Sequence, residues 1–237
     1  MDALWFLERR TSYIRWYHST ACRPFVIIKS QIEEALPPFD NAPCDESGEP
    51  AFLEEWEDAD EALNIVGSQC ISMLSGTLKA YFKTLENRVI GFSLGSDGKK
   101  MARAEGFVPA YISALSEIFN TDWSSLQNEI ALIEQIVLAR NNIQHSGDIR
   151  SLSVDHDART IRKFPRPFFS SKEDLSLVGN EGYQESTIYQ PTVVVSEENL
   201  LAALLAVDKL ARWINANLDK VGEWRAGKRS PAADPVK

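Results

Sequence analysis

A chain of 237 residues with 44% hydrophobic and 25% charged side chains can bury one substantial core and has the make-up of an ordinary globular protein. No apolar run approaches the roughly 20 residues of a membrane-spanning helix, and Cys22, Cys44 and Cys70 are too few and too scattered for a zinc knuckle or a disulfide framework. A formal charge of −9 argues, taken alone, against a polyanionic partner.

The N-terminus, Met1 to Arg10, has neither a basic start nor a following apolar core, so it does not read as a signal peptide. The three thiols are expected to be reduced and the protein cytoplasmic. Residues 2–21 carry Leu4, Leu7, Ile14 and Tyr17 at helical positions. Arg23-Pro24 is expected to end that helix, and Phe25 to Leu36 to form a second one, closed by Pro37-Pro38. His18 reads as a structural residue within an aromatic stretch. A loop follows, then a long helix from about Ala51 to Asn87 with Phe52, Trp56, Leu63, Val66, Cys70, Leu74, Leu78, Tyr81 and Leu85 on its apolar stripe.

Ile90 to Gly98 contains three glycines but lacks the strand-then-helix context and the Lys-Ser/Thr ending of a phosphate-binding loop. A helix over about Lys99 to Phe119, interrupted at Pro109, is expected next. Asn120, Thr121 and Asp122 are candidate caps for the helix after it, about Trp123 to His145. Beyond Gly147 the period turns to alternation, so Leu152, Val154, Ile161 and Phe164 predict a small β-hairpin around Asp155 to Ala158. His156 falls in its turn, in a setting too incomplete for a metal. Thr187 to Val195 predicts a third short strand. Ser196 then caps a final helix reaching about Val221. The expectation is a mainly α protein, an antiparallel helix bundle with a small β-hairpin insertion before the last helix. It forms one domain over residues 1–225, with the insertion at about 150–195 and a disordered tail at 226–237.

Charge is unevenly spread. Residues 40–61 hold ten carboxylates and no Lys or Arg, and removing them leaves 25 basic against 24 acidic residues. Residues 140–172 hold seven basic and three acidic side chains. A polyanion can therefore dock on that part of the chain despite the overall sign. The carboxylates of residues 52–61 suit the positive end of a helix dipole and would equally suit a basic partner protein.

Leu138-Ala-Arg-Asn-Asn-Ile-Gln-His-Ser-Gly147 concentrates the chemistry. Arg140 continues the stripe Leu126, Ile130, Ile133 and Val137, although burying an unpaired guanidinium is costly. It needs an acidic neighbour such as Glu134 or Glu105, an interface, or an anionic ligand. His145 stands near the helix end, where a cation is favoured, and is four residues from Asn141. Two readings stand side by side. His145 is a helix cap, or it exchanges protons in phosphodiester cleavage while Arg140 stabilises the phosphoryl charge and Asn141 orients one of them. Neither cofactor nor metal is called for.

Arg-Asn-x-x-x-His at the end of a long helix resembles the HEPN superfamily (higher eukaryote and prokaryote nucleotide-binding), whose signature is Arg, four to six residues, then His. Arg140, Asn141 and His145 carry the match over about ten residues, with a looser helical likeness from Ala51 to Leu218. The resemblance implies a metal-independent endoribonuclease acting as a homodimer with a composite Arg/His site, in a bacterial toxin or antiviral defence role. The alternative is a non-catalytic helical module, for interaction or RNA binding, serving as the partner subunit of a toxin–antitoxin or defence complex. In toxins of this kind regulated by nucleotidyl transfer, a tyrosine stands two residues after the histidine. Gly147 occupies that place, so no such modification is expected. Within the insertion, Arg159, Arg162, Lys163 and Arg166, with Phe164, Phe168 and Phe169, are candidates to hold single-stranded RNA by charge and stacking. The competing reading of those aromatics is packing within the insertion.

Overall fold

A computed structural model describes residues 2–42, 48–145, 157–184 and 192–229. These are mainly helical, with no β-strand among them. The helices are α1 (Ala3–Glu33), α2 (Leu53–Thr84), α3 (Gly95–Ala104), α4 (Phe107–Phe119), α5 (Gln127–His145), α6 (Ala158–Lys163), α7 (Lys172–Leu177), α8 (Glu197–Ala216) and α9 (Lys220–Arg229). No helix among the described residues is long and apolar enough to cross a membrane.

Several boundaries differ from the expected ones for local reasons. Pro24 lies inside a continuous α1. Its ring forfeits one bond to the carbonyl of Thr20, but Thr20 and Pro24 are both exposed, so water can take that acceptor. Helices α3 and α4 are separated at Gly106, whose φ of 95° is open to glycine at little cost. Pro109 then falls in the first turn of α4, where its missing N–H leaves no helical bond unmade. Asn120, expected to start a helix, instead ends α4 in the left-handed conformation. Asp122 takes the Ser124 N–H at 3.1 Å ahead of α5.

The β-hairpin is corrected outright. Its first expected strand lies outside the described residues. Its second is α6, nucleated by Asp157, whose carboxylate accepts the Thr160 N–H at 2.8 Å. A strong cap here overrides the alternation read from Ile161 and Phe164. Of the third expected strand, Thr192 to Val195 is irregular apart from a single bridge at Thr192, and the rest is outside the described residues. Ser196 does cap α8, accepting the Asn199 N–H at 3.1 Å. The last helix divides after Ala216, and α9 runs to Arg229, four residues into the segment expected as tail.

The chain forms two compact units. The first comprises residues 1–11, 75–134 and 203–237. Its core contains Leu78, Phe82, Leu115, Phe119, Leu204, Val207, Leu210 and Ile214. Phe82 stacks on Tyr111 with centroids 4.8 Å apart, and Trp213 meets Trp123 at 4.3 Å. After α2 the chain makes a π-turn, Leu85–Val89, which carries Glu86 into this core. There Lys83 Nζ donates to Glu86 at 2.7 Å and the Tyr111 hydroxyl donates to the same carboxylate. Arg225 of α9 donates to the Ile90 carbonyl at 2.6 Å, closing the exposed end of that turn.

The second unit comprises residues 12–74 and 135–202. Ile14, Cys22, Val66, Cys70, Ile71, Leu74, Ile136, Phe169, Val193, Val195 and Leu200 are buried in it. Gly67 marks a close approach of backbones within it. A Cβ there would meet the Val195 carbonyl at 2.5 Å, so only glycine lets residues 193–195 lie on α2. Asn64 supports the same contact, accepting the Val195 N–H at 3.4 Å.

Candidate functional site

All the residues that carry the site lie in the second unit. On α5, Ile136 and Ala139 are buried, and Arg140, four residues after Ile136, is half-buried on the same side. The arginine thus does continue the buried row. Its Nη1 donates to Asn141 Oδ1 at 3.0 Å. Asn141 is exposed, and so is His145, the last residue of α5. At 3.6 residues per turn, Arg140 and His145 point about 140° apart around the helix. The structure therefore holds Arg140 and Asn141 together but does not aim Arg140 and His145 at one point within a single chain.

His145 belongs to a different row. Gln135, Leu138 and Asn142 recur at steps of three and four residues, and His145 follows three residues later on the same side. Gln135, Leu138, Ala139 and Asn142 form one wall of a small cleft of about 20 Å³, room for a water-sized group. Phe164, Pro167, Phe168, Phe169 and Val193 supply the rest. The Phe168 backbone is fixed at both ends: its N–H donates to Gln135 Oε1 at 2.8 Å, and its carbonyl accepts from Asn199 Nδ2 at 2.9 Å. Gly182 lets the next strand of irregular chain close in, since a Cβ there would strike the Pro165 carbonyl at 2.3 Å. Among the described residues the amide of Asn142 has no hydrogen-bond partner. It shares the mostly apolar cleft with Gln135, whose Oε1 is taken by the Phe168 N–H.

The basic residues of the insertion are divided by their surroundings. Arg159, Arg162 and Lys163 are exposed and lie at i, i+3 and i+4 on α6, so they share one face. Lys163 Nζ sits 5.3 Å from the Phe164 ring centroid. Arg166 instead donates to the Gly179 carbonyl and fastens the irregular segment. The aromatics divide too. Phe169 is buried, which removes it as a stacking surface, whereas Phe164 and Phe168 are half-buried along the cleft.

The other candidates are placed as follows. His18 is buried with its Nε2 3.5 Å from Cys22 Sγ. Burial lowers the His18 pKa, partly opposed by the charge of Glu197. Burial raises the thiol of Cys22, helped by Glu197, and pushes Cys70 up to about 12. These are neutral groups held in a core, so neither thiol is an activated nucleophile. Among the described residues no group of three or more His, Cys, Asp or Glu could hold a metal ion. His156 and Cys44 lie outside the described residues. At the start of α2, Glu54, Glu55, Glu57, Asp58 and Glu61 are exposed. Asp60 pairs with Lys29, whose ammonium also sits 3.8 Å above the Trp56 ring.

The sequence reading did not single out Leu138 or Asn142 as lining a cleft. The signal was present in the row Gln135, Leu138, Asn142 and His145, but the row Arg140 continues drew the reading away from it. Comparison with models of protein families, with curated proteins and with solved structures finds no match to this chain.

Proposed function

We propose that this chain is a metal-independent endoribonuclease of the HEPN type, a cytoplasmic homodimer cleaving single-stranded RNA in a toxin or antiviral role. The supporting observation is the placement of His145, exposed at the end of α5 beside an apolar cleft, with Arg140 held about 140° away around the same helix. One chain divides the two groups between two directions; a second copy, related by a two-fold axis, supplies the arginine that one copy lacks. In this reading the imidazole of one protomer takes the proton of a ribose 2′-hydroxyl, whose oxygen attacks the adjoining phosphorus. The bond to the 5′-oxygen breaks, and the partner's imidazole returns a proton to it. A 2′,3′-cyclic phosphate and a 5′-hydroxyl result. Arg140 stabilises the charge on the phosphoryl oxygens, and Asn141, bonded to it, fixes its direction. Arg159, Arg162 and Lys163 attract the RNA backbone, with Arg166 stiffening the segment that bears them.

Purified protein in EDTA is expected to cut single-stranded RNA, and His145→Ala to stop it. Equal cutting by that variant removes the proposal. A second reading, a non-catalytic interaction module, draws on the exposed carboxylates at the start of α2, which suit a basic partner. Loss of a dimer on Arg140→Ala, in a protein that cuts no RNA, selects it.

A further inference from the structure

We infer that the outer face of α1 is a contact surface for a second copy of this chain, the two helices lying antiparallel with Thr20 at the two-fold axis. The surface is on α1 and not on α5, so it goes beyond the ribonuclease reading.

Three observations carry it. The first is exposure. Leu7, Thr11, Ile14, His18 and Cys22 turn the inner side of α1 into the core. On the outer side Tyr13, Trp16, Val26 and Ile27 are between 46% and 57% exposed, with the Tyr13 and Trp16 rings 5.5 Å apart. Large apolar side chains grouped in this way on a surface mark a contact. The second is spacing. Arg9, Tyr13, Trp16, Thr20, Arg23 and Ile27 are all exposed and recur at alternating steps of four and three, the seam of a helix pair. A surface that meets its own copy must be self-complementary, residue i on j and j on i. About Thr20 this row has that property. Tyr13 and Ile27 each stand seven residues from it, so one meets the other across the axis. Trp16 of one copy then meets Arg23 of the other, a guanidinium over an indole. Parallel pairing, or antiparallel pairing about Trp16, would instead set arginine against arginine.

The third is charge. Arg9, Arg10, Arg15 and Arg23 are exposed, and among the described residues none has an acidic partner. The other end of α1 lies beside the acidic start of α2, where Lys29 pairs with Asp60 and Trp56 donates to Glu33 at 2.9 Å. Glu54, Glu55, Glu57, Asp58 and Glu61 are exposed there. Antiparallel pairing brings the basic half of one α1 to the acidic end of the other. An anionic membrane or an RNA would suit the first half and be repelled by the second.

The test places a thiol at the axis. Full-length Thr20→Cys in a Cys44→Ser background is treated with a bismaleimide of about 8 Å span, the spacing of packed helices. It is expected to yield at least about ten-fold more cross-linked dimer than Ser12→Cys. That exposed site on the same helix would lie roughly 24 Å from its own copy at 1.5 Å per residue. By sedimentation equilibrium, Trp16→Ala should weaken the dimer about ten-fold, and Arg23→Glu at least as much. Raising NaCl from about 0.1 to about 0.5 M should weaken the wild-type dimer. Melting temperatures should hold, because both side chains are exposed. Cross-linking through Thr20→Cys should persist when Arg140→Ala is added, which separates this contact from the pairing proposed at α5. A wild type that stays monomeric at about 100 µM, equal cross-linking at positions 12 and 20, its loss with Arg140→Ala, or a dimer unmoved by Trp16→Ala overturns the inference. So does a monomer that binds phosphatidylserine vesicles or RNA through Trp16, which gives the face to a polyanion. Failure of the wild type to cut RNA bears only on the ribonuclease reading.

Discussion

Two helix C-termini in this chain treat polar side chains in opposite ways. At the end of α2 one carboxylate, Glu86, is turned inward and matched, while Asn87 and Arg88 beside it stay exposed. Glu86 accepts from Lys83 and Tyr111, and the carbonyl of Ile90 accepts from Arg225. At the end of α5 the polar groups are turned outward or left at a cleft. Arg140 bonds to Asn141, while the side chains of Asn142, Gln144 and His145 have no hydrogen-bond partner among the described residues. Burial explains the difference. A carboxylate at 8% exposure must be fully paired or it destabilises the fold. An exposed imidazole carries no such requirement and keeps its hydrogen-bonding capacity for a ligand. Substitution at the two ends should therefore separate stability from activity.

The largest effect is expected from His145→Ala, with RNA cleavage in EDTA falling by about 10²–10⁴-fold, the usual contribution of a positioned acid–base group. Its melting temperature should stay with that of the wild type, because exposed substitutions usually remain within about 0.5 kcal/mol. A variant that loses activity and stability together would break the contrast.

Glu86→Ala should do the reverse. It leaves the Tyr111 hydroxyl in apolar surroundings and costs about 2–3 kcal/mol, which shifts the melting temperature by about 5–10 °C in a protein of this size. Cleavage below the transition should persist. The same carboxylate gives a pH signature. Burial alone would raise its pKa, but bonds from Lys83 and Tyr111, the charge of Lys83 and the backbone of Leu94 together hold it below the ordinary 4.5. Because the folded-state pKa is depressed, Glu86 contributes its full stabilisation above the unfolded-state value. That contribution fades as pH falls through 4.5 and on past the folded-state pKa. Urea titrations of the wild type and Glu86→Gln at several pH values should converge toward the acid side. Curves that stay parallel would dismiss the pairing. Tyr111, raised to about 12 by burial and by Glu86, adds nothing in that window.

Arg225→Ala tests the cap on the π-turn. Losing the donor to Ile90 should cost about 1 kcal/mol, or roughly 2–4 °C, with unchanged RNA cleavage. A shift as large as that of Glu86→Ala would mean that α9 contributes far more than this bond.

The inward-facing helix end was largely illegible in the sequence, and the outward-facing one was partly legible. Helical content followed from periodicity, and α2 could be placed within a few residues because its stripe extends over nine turns. Glu86 gave no local sign of burial, since Tyr111 lies 25 positions away. The hairpin misreading has the same root. Ile161 and Phe164 alternate over too short a span to decide a period, and Asp157, a strong N-cap, decided it for a helix. At α5, Arg140 and His145 stood out by residue type. What the residue types could not convey was that Asn142, Phe164 and Phe168 share a cleft, because that depends on how residues 164–169 return to α5.

Asn141→Ala is the finest test of the outward-facing end. Asn141 is exposed, so its removal should change stability by no more than about 0.5 kcal/mol. It also releases Arg140, whose guanidinium would then sample other directions from its half-buried stem. If Arg140 works on a phosphate presented by a second copy, losing one orienting bond should lower cleavage about three-fold, within the net worth of a single hydrogen bond. The proposed dimer, tested by size exclusion, should not be lost in this variant, because the cation itself remains. An unchanged rate would show that the bond to Asn141 only satisfies the arginine. A loss as deep as that of His145→Ala would instead make Asn141 a direct contact of the phosphate, which its exposed position on α5 also permits.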